Sequence, residues 1–192
     1  MDFALIFNRM IRAAKLDVAF YNEVEADTSL NQEALMVVII TAVASGVGSF
    51  IGGILLGQGI GGALIGLVFG IVMGIVGYYI WAYLTQFIGT RLFQGTGDVG
   101  ELLRTLGYAT APQILGIFAL IPCAGSLVAL VGALWSLVAG VVAVREALDL
   151  DTGKAVLTVV VGWLVVFVIT AIIGGALGLG AAGLGALTET MG

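Results

Sequence analysis

"GGALIGLVFGIVMGIVGYYIWAYLTQFIG", residues 61–89, runs for 29 residues without a charged side chain. A helix needs roughly 20 consecutive apolar residues to cross a bilayer, so this stretch alone places the chain in a membrane. It is longer than one span requires, which predicts a helix that tilts or protrudes. Gly62, Gly66, Gly70 and Gly74 recur at every fourth position. Small residues on one stripe let helix backbones approach closely, which matters in lipid because no hydrophobic force drives helix against helix. The stripe predicts packing within the chain, and a homo-oligomeric seam or a pore lining fits the same spacing. Tyr78, Tyr79, Trp81 and Tyr83 gather towards the inner end, as anchors at a membrane interface do.

Composition extends this reading to the whole chain. It is 60% hydrophobic and 10% charged, with 30 glycines and 2 prolines, whereas soluble domains carry about 25% charged residues. Charge-free blocks cover residues 34–90, 105–144 and 155–188, with room for two, two and one spans. The first block breaks at Gly57-Gln58-Gly59 and the second at Ile121-Pro122-Cys123. The expected spans lie near 34–56, 61–89, 110–121, 124–145 and 155–179. The third is short, and a kinked or partly re-entrant path fits it as well as a full crossing. Ser45, Ser49, Gly53 and Gly57 repeat the small-residue spacing in the first span, as Gly132, Ser136 and Gly140 do in the fourth.

The cations orient the chain. Arg9, Arg12 and Lys15 precede the first span, Arg91 and Arg104 separate the second from the third, and Arg145 and Lys154 separate the fourth from the fifth. These are all 7 Lys and Arg residues, and their bias sets topology whereas acidic residues such as Glu189 count for little. The N-terminus is therefore expected inside and the C-terminus outside, with Cys123 at an outer turn. The first residues are not expected to form a cleavable signal, because the cations follow the first apolar residues. Phe3, Ile6, Phe7, Met10, Ile11, Ala14 and Val18 recur at helical spacing. This predicts an amphipathic helix, either lying on the inner leaflet or packed against the protein's own inner loops. An acidic linker follows, in which Ser29 and Gln32 have capping-box spacing. The fold class is thus all-α, a polytopic membrane bundle of five transmembrane helices with an N-terminal interfacial helix. Residues 1–33 form the cytoplasmic portion and 34–192 the membrane domain.

Little chemistry fits this chain. It has no histidine and one cysteine, which excludes Ser-His catalysis and His- or thiolate-rich metal sites. No Asp or Glu falls within an expected span, which argues against proton relays and ion-coupled transport. Thr85, Gln86, Gln113 and Thr170 remain as uncharged polar residues suited to interhelical hydrogen bonds. We expect no enzyme activity, no cofactor, no metal and no nucleic-acid partner.

"ELLRTLGYATAPQIL", residues 101–115, is the charged doorway to the third span. It reads as a short amphipathic helix at the inner interface, with Glu101 and Arg104 in headgroup water. Gly107 permits a tight change of direction, Tyr108 shapes the turn, and Pro112 starts or bends the span. Together with Arg145, Asp149, Asp151 and Lys154 of "REALDLDTGK", Glu101 and Arg104 form a candidate docking face. Its expected partners are the bilayer, membrane or cytoplasmic proteins, and a second copy of the chain.

The order "GTRLFQGTGDVGELLRTLGYATAPQIL", then "IP", Leu134-Trp135 and "REALDLDTGKAV", resembles the Yip family of Rab-GTPase-interacting membrane proteins, in its prokaryotic branch. The resemblance runs from about residue 9 to 170. It implies five spans with an inner N-terminus and an outer C-terminus, which agrees with the cation distribution. It also implies a non-enzymatic adaptor or organiser. Eukaryotic members act in Golgi and endoplasmic-reticulum trafficking and carry an Asp-Leu-Tyr-Gly-Pro motif. Asp27-Thr28-Ser29-Leu30 does not reproduce that motif, so a prokaryotic plasma-membrane adaptor is the expectation. An oligomeric channel or small-solute pathway lined by glycine-rich helices is the alternative.

Overall fold

The computed structural model describes residues 2–122, 124–166 and 168. Cys123, Thr170, Glu189, the C-terminus and the far part of the fifth expected span lie outside the described residues. The described chain is helical throughout, with α1 Phe3–Ala14, α2 Val18–Ala26, a 3-10 turn at Thr28–Leu30, α3 Asn31–Leu55 and α4 Ile60–Phe93. There follow α5 Val99–Ala109, a 3-10 segment Ala111–Leu120, α6 Ala124–Ala147 and α7 Thr152–Val166. Three of these, residues 28–55, α4 and α6, are long and apolar enough to cross a membrane. The protein is therefore a multi-pass integral membrane protein.

Local chemistry accounts for the boundaries. The Asp2 carboxylate accepts hydrogen bonds from Ala4 N and Leu5 N and caps α1, and Asp17 caps α2 through Phe20 N. Asp27 caps the 3-10 turn through Ser29 N, so the expected Ser29–Gln32 box is not formed: Ser29 lies inside the turn, and α3 starts at Asn31 without a side-chain cap. The α3–α4 break falls where the glycines placed it, with Gly57 at φ 86°, a conformation glycine reaches without Cβ strain. At 34 residues, α4 is about 51 Å long, well beyond the roughly 30 Å of bilayer hydrocarbon.

The segment expected as the third span is helical at Ala111–Leu120, wound as a 3-10 helix with Pro112 in its first turn. Its 10 residues cover about 20 Å, against about 15 Å for an α-helix. The segment is wedged between α3 and α6, and glycine makes room for it on both sides. A side chain at Gly48 or Gly52 of α3 would strike the carbonyls of Gly116, Ile117 or Ala119. On α6, Gly125 faces the Phe118 carbonyl and Gly132 the Pro112 carbonyl. Here is the close small-residue seam of the fold.

The glycine stripe of α4 behaves differently. Among the described residues, a Cβ added at Gly62, Gly66 or Gly70 would meet nothing within 4 Å, and one at Gly74 would only touch the Ala42 methyl. The expected close seam is therefore not formed at those three positions. Gly66, Gly70 and Gly74 instead border a cavity of about 530 Å³. The large buried side chains cluster at the opposite, charged end. Phe20, Tyr21, Val24, Leu102, Tyr108, Val144 and Leu148 are all at most 1% exposed and bring α2, α5 and the end of α6 into one core.

Candidate functional site

The doorway helix α5 starts with a complete capping box. The Asp98 carboxylate accepts from Glu101 N at 2.9 Å, and the Glu101 carboxylate accepts from Asp98 N at 2.7 Å. This is the reciprocal arrangement that satisfies two otherwise unpaired helix-start amides. Glu101 is therefore engaged by its own helix and not by Arg104.

Arg104 is not in headgroup water. It is 5% exposed, and its guanidinium donates to the carbonyls of Val24, at 3.0 Å, and Glu25, and to Asn31 Oδ1 at 3.2 Å. The two carbonyls belong to the last turn of α2, where the helix dipole favours a cation. One turn of sequence separates Glu101 from Arg104, yet the fold points one along the helix start and the other beneath α2.

Tyr108 is fully buried. Its hydroxyl donates to Glu33, whose other oxygen pairs with Arg9 at 2.6 Å. Its ring meets that of Phe20 edge to face at 5.1 Å. A single residue thus ties α5 to α1, α2 and α3. The chain does not turn at Gly107, because α5 continues to Ala109. Gly107 instead lets α5 lie against α3, where the Ala34 methyl and carbonyl leave no room for a Cβ. Pro112 is buried at the start of the 3-10 segment, as its restricted φ favours.

The second charged segment is brought to the same end. Asp149, with φ 51°, accepts from the Thr96 hydroxyl, and Thr96 N donates to Leu148 O at 3.1 Å. Asp151 caps α7 by accepting from Lys154 N at 3.0 Å, and Lys154 Nζ lies 3.7 Å from its carboxylate. That hydrogen bond first, and then the cation, hold the Asp151 carboxyl below its ordinary value. Arg145 pairs with the neighbouring Glu146. Asp149, Asp151 and Lys154 are exposed.

Sequence reading missed Glu25 and Glu146. Burial raises the Glu25 carboxyl to about 7, with Asp149, Glu101 and Glu146 adding repulsion and Arg104 opposing it. Carboxylates from α5, α6 and the α6–α7 corner thus repel the Glu25 carboxyl of α2, whose main-chain carbonyl the buried Arg104 guanidinium holds. The sequence carried no signal for this, since the four are spread from residue 25 to 149. No group of three or more His, Cys, Asp or Glu suited to a metal occurs among the described residues.

Within the bundle a second polar group surrounds the start of the 3-10 segment. Thr41 Oγ1 lies 3.3 Å from Thr110 Oγ1, and Ser45 donates to Gln113 O at 3.1 Å. Gln113 Nε2 donates to Ser136 Oγ at 3.0 Å, which donates to Ala109 O at 2.7 Å. Gln113 was singled out for interhelical bonding and does that here. Thr85 was too, but its buried hydroxyl has no partner among the described residues.

No curated protein and no solved structure matches the chain. The family model of the Yip1 domain, however, matches residues 17–174, a stretch that holds the α5 doorway, the 3-10 segment, α6 and the acidic α6–α7 corner. The chain belongs to the Yip1 domain family.

Proposed function

We propose that the protein is a non-enzymatic membrane adaptor whose charged face docks other proteins. One observation carries this reading: Glu101, Glu146 and Asp149, from three other elements, act on the Glu25 carboxyl beside the buried Arg104, which holds the α2 carbonyls. Charge fixed by capping and main-chain hydrogen bonds, with no metal-binding cluster beside it among the described residues, suits recognition. Asp149, Asp151, Lys154 and Arg145 form its accessible part, while Glu101 and Arg104 hold it from within. The excess of carboxylates selects a basic partner surface.

In this reading the bundle has five spans, an inner N-terminus and an outer C-terminus, in a prokaryotic plasma membrane. The α1 helix lies in the inner leaflet and also packs on the protein. Ile6, Met10 and Ala13 are buried, whereas Phe3, Phe7 and Ile11, at 67%, 57% and 40% exposure, form the opposite stripe. Trp135 Nε1 donates to Ala14 O at 2.8 Å, which joins that stripe to the exposed Leu134 and Val138 of α6. Both alternatives for this helix are therefore compatible.

Site-specific photocrosslinking in native membranes from positions flanking Asp149 tests the docking role. A discrete adduct lost in the Asp149→Lys, Asp151→Lys double variant, with melting unchanged, supports it. Adducts unaffected by the reversal overturn it. The second reading, a small-solute pathway, is favoured by the cavity that Gly66, Gly70 and Gly74 border. Protein-dependent solute flux into liposomes would support that reading.

A further inference from the structure

We propose that the intramembrane cavity is a binding site for a neutral glycerolipid of the diacylglycerol class. This goes beyond the adaptor reading and does not depend on it. The cavity, of about 530 Å³, is bordered by α3, α4, α5, the 3-10 segment, α6 and α7. That volume and a largely apolar lining with a few convergent polar groups are usual for a small-molecule site between the helices of a bundle.

Its lining is graded along its length. One end carries Thr41, Thr110, Gln113 and Ser136 beside Tyr78 and Trp81. Because α3 and α4 run antiparallel, the other end is reached at Ser49, Gly66 and Gly70. Trp and Tyr mark the interfacial level of a bilayer, so the polar end sits at the headgroup boundary. The glycine-lined end lies in the hydrocarbon. This is the profile of a lipid with its head at the inner interface and its chain along the α4 stripe.

Charge and hydrogen-bonding capacity narrow the class. Among the described residues no charged side chain lines the cavity, so a phosphate or ammonium there would find no ionic partner in them. Thr41, Thr110, Ser45 and Ser136 spend their hydroxyls on one another and on main-chain carbonyls. Their hydrogens are therefore taken, and these four offer a water chain only acceptor lone pairs. Gln113 differs: one amide hydrogen goes to Ser136, and its other hydrogen and its oxygen have no partner among the described residues. One donor and one acceptor side by side suit an ester carbonyl and a free hydroxyl, the pair that diacylglycerol offers.

The full-length protein in nanodiscs is photolabelled with a diacylglycerol carrying a diazirine in one acyl chain. Phosphatidylcholine and phosphatidylglycerol with the same chain serve as comparisons. The diacylglycerol probe should label the peptides around Ser45–Ser49 and Gly66–Gly77, and unlabelled diacylglycerol should compete. Gln113→Leu should weaken that competition about five-fold, the value of roughly one hydrogen bond. Gly70→Leu should abolish labelling at Gly66–Gly77 while leaving the fold intact, since a Cβ there meets no described atom. Three results overturn the proposal. Equal labelling by all three lipids means ordinary bilayer contact. A ready disulfide between Gly70→Cys and Ala176→Cys, in a Cys123→Ser background, means that the chain's own C-terminal stretch fills the site. Flux of a neutral water-soluble solute through reconstituted protein means that the cavity is a hydrated path.

Discussion

Replacing Arg104 by methionine separates two readings of the doorway sharply. If Arg104 stood in water, its loss would cost under about 0.5 kcal/mol, as surface changes usually do. In the fold it is 5% exposed and donates to two α2 carbonyls and to Asn31. Methionine keeps most of the apolar stem but leaves those acceptors unpaired, each at about 1–3 kcal/mol when buried. Removing a buried cation that lacks a directly bonded carboxylate returns part of that cost. The net loss is about 3 kcal/mol. In a chain of this size each kcal/mol shifts melting by about 2–4 °C, so Arg104→Met should melt about 6–12 °C lower in detergent. Arg104→Lys, which keeps the charge but not the three-way reach, should fall between. Leu102→Ala at a fully buried neighbour calibrates the assay. If Arg104→Met melts within about 1 °C of the parent while Leu102→Ala falls, the clamp on α2 is wrong and the residue is a surface charge after all.

Tyr108→Phe should cost about 1 kcal/mol by removing its hydrogen bond to Glu33, and Tyr108→Ala about 3–5 kcal/mol by opening a cavity beside Phe20; the same melting assay reads both. Gly48→Leu or Gly116→Leu should eliminate monodisperse protein on size exclusion, since the added atoms strike backbone or Ser45, whereas Gly66→Leu should change stability by under about 0.5 kcal/mol. Thr85→Val should raise stability by about 1 kcal/mol, because it removes a buried hydroxyl that has no partner among the described residues. Burial raises Glu25 from 4.5 to about 7, so the folded state holds a proton that the unfolded state has released. Its stabilising contribution is complete below about pH 4.5 and is lost as pH rises through about 7. Melting should therefore be higher at pH 5 than at pH 8. Glu25→Gln should flatten that slope and melt higher than the parent at pH 8.

Periodicity and charge placed the helices well because both signals are local. Residues 61–89 without charge announce α4, Gly57 its preceding turn, and Pro112 the start of the third apolar segment. What the sequence could not convey was direction around each helix axis. Gly66 and Gly116 are alike as letters, but Gly116 meets Ser45 and Gly66 meets an open cavity. The spacing of four that made the α4 stripe conspicuous carries no information about which helix lies opposite. Arg104, expected in headgroup water beside Glu101, is buried for a similar reason. The i, i+3 spacing permits an ion pair, but Asp98 and the α2 carbonyls offered each a closer partner. The close packing of residues 111–120 was also hidden, since the glycines that make room for it, at 48, 52, 125 and 132, lie in other helices.

The distribution of burial follows from the two solvents the chain meets. In water apolar side chains are driven together, and at the charged end they form a core of Phe20, Tyr21, Leu102, Tyr108 and Leu148. In lipid that drive is absent. There the seam is made of glycines against carbonyls and of hydroxyl bonds, while Ile65, Phe69 and Leu127 stay more than 60% exposed. Stability and the proposed recognition therefore share one location, since the core joins the elements that carry Glu25, Glu101 and Glu146. A partner bound to Asp149 or Glu25 would couple to the Arg104 clamp at once. A ligand in the cavity would reach that core only through Thr110 and Ser136, where the 3-10 segment begins.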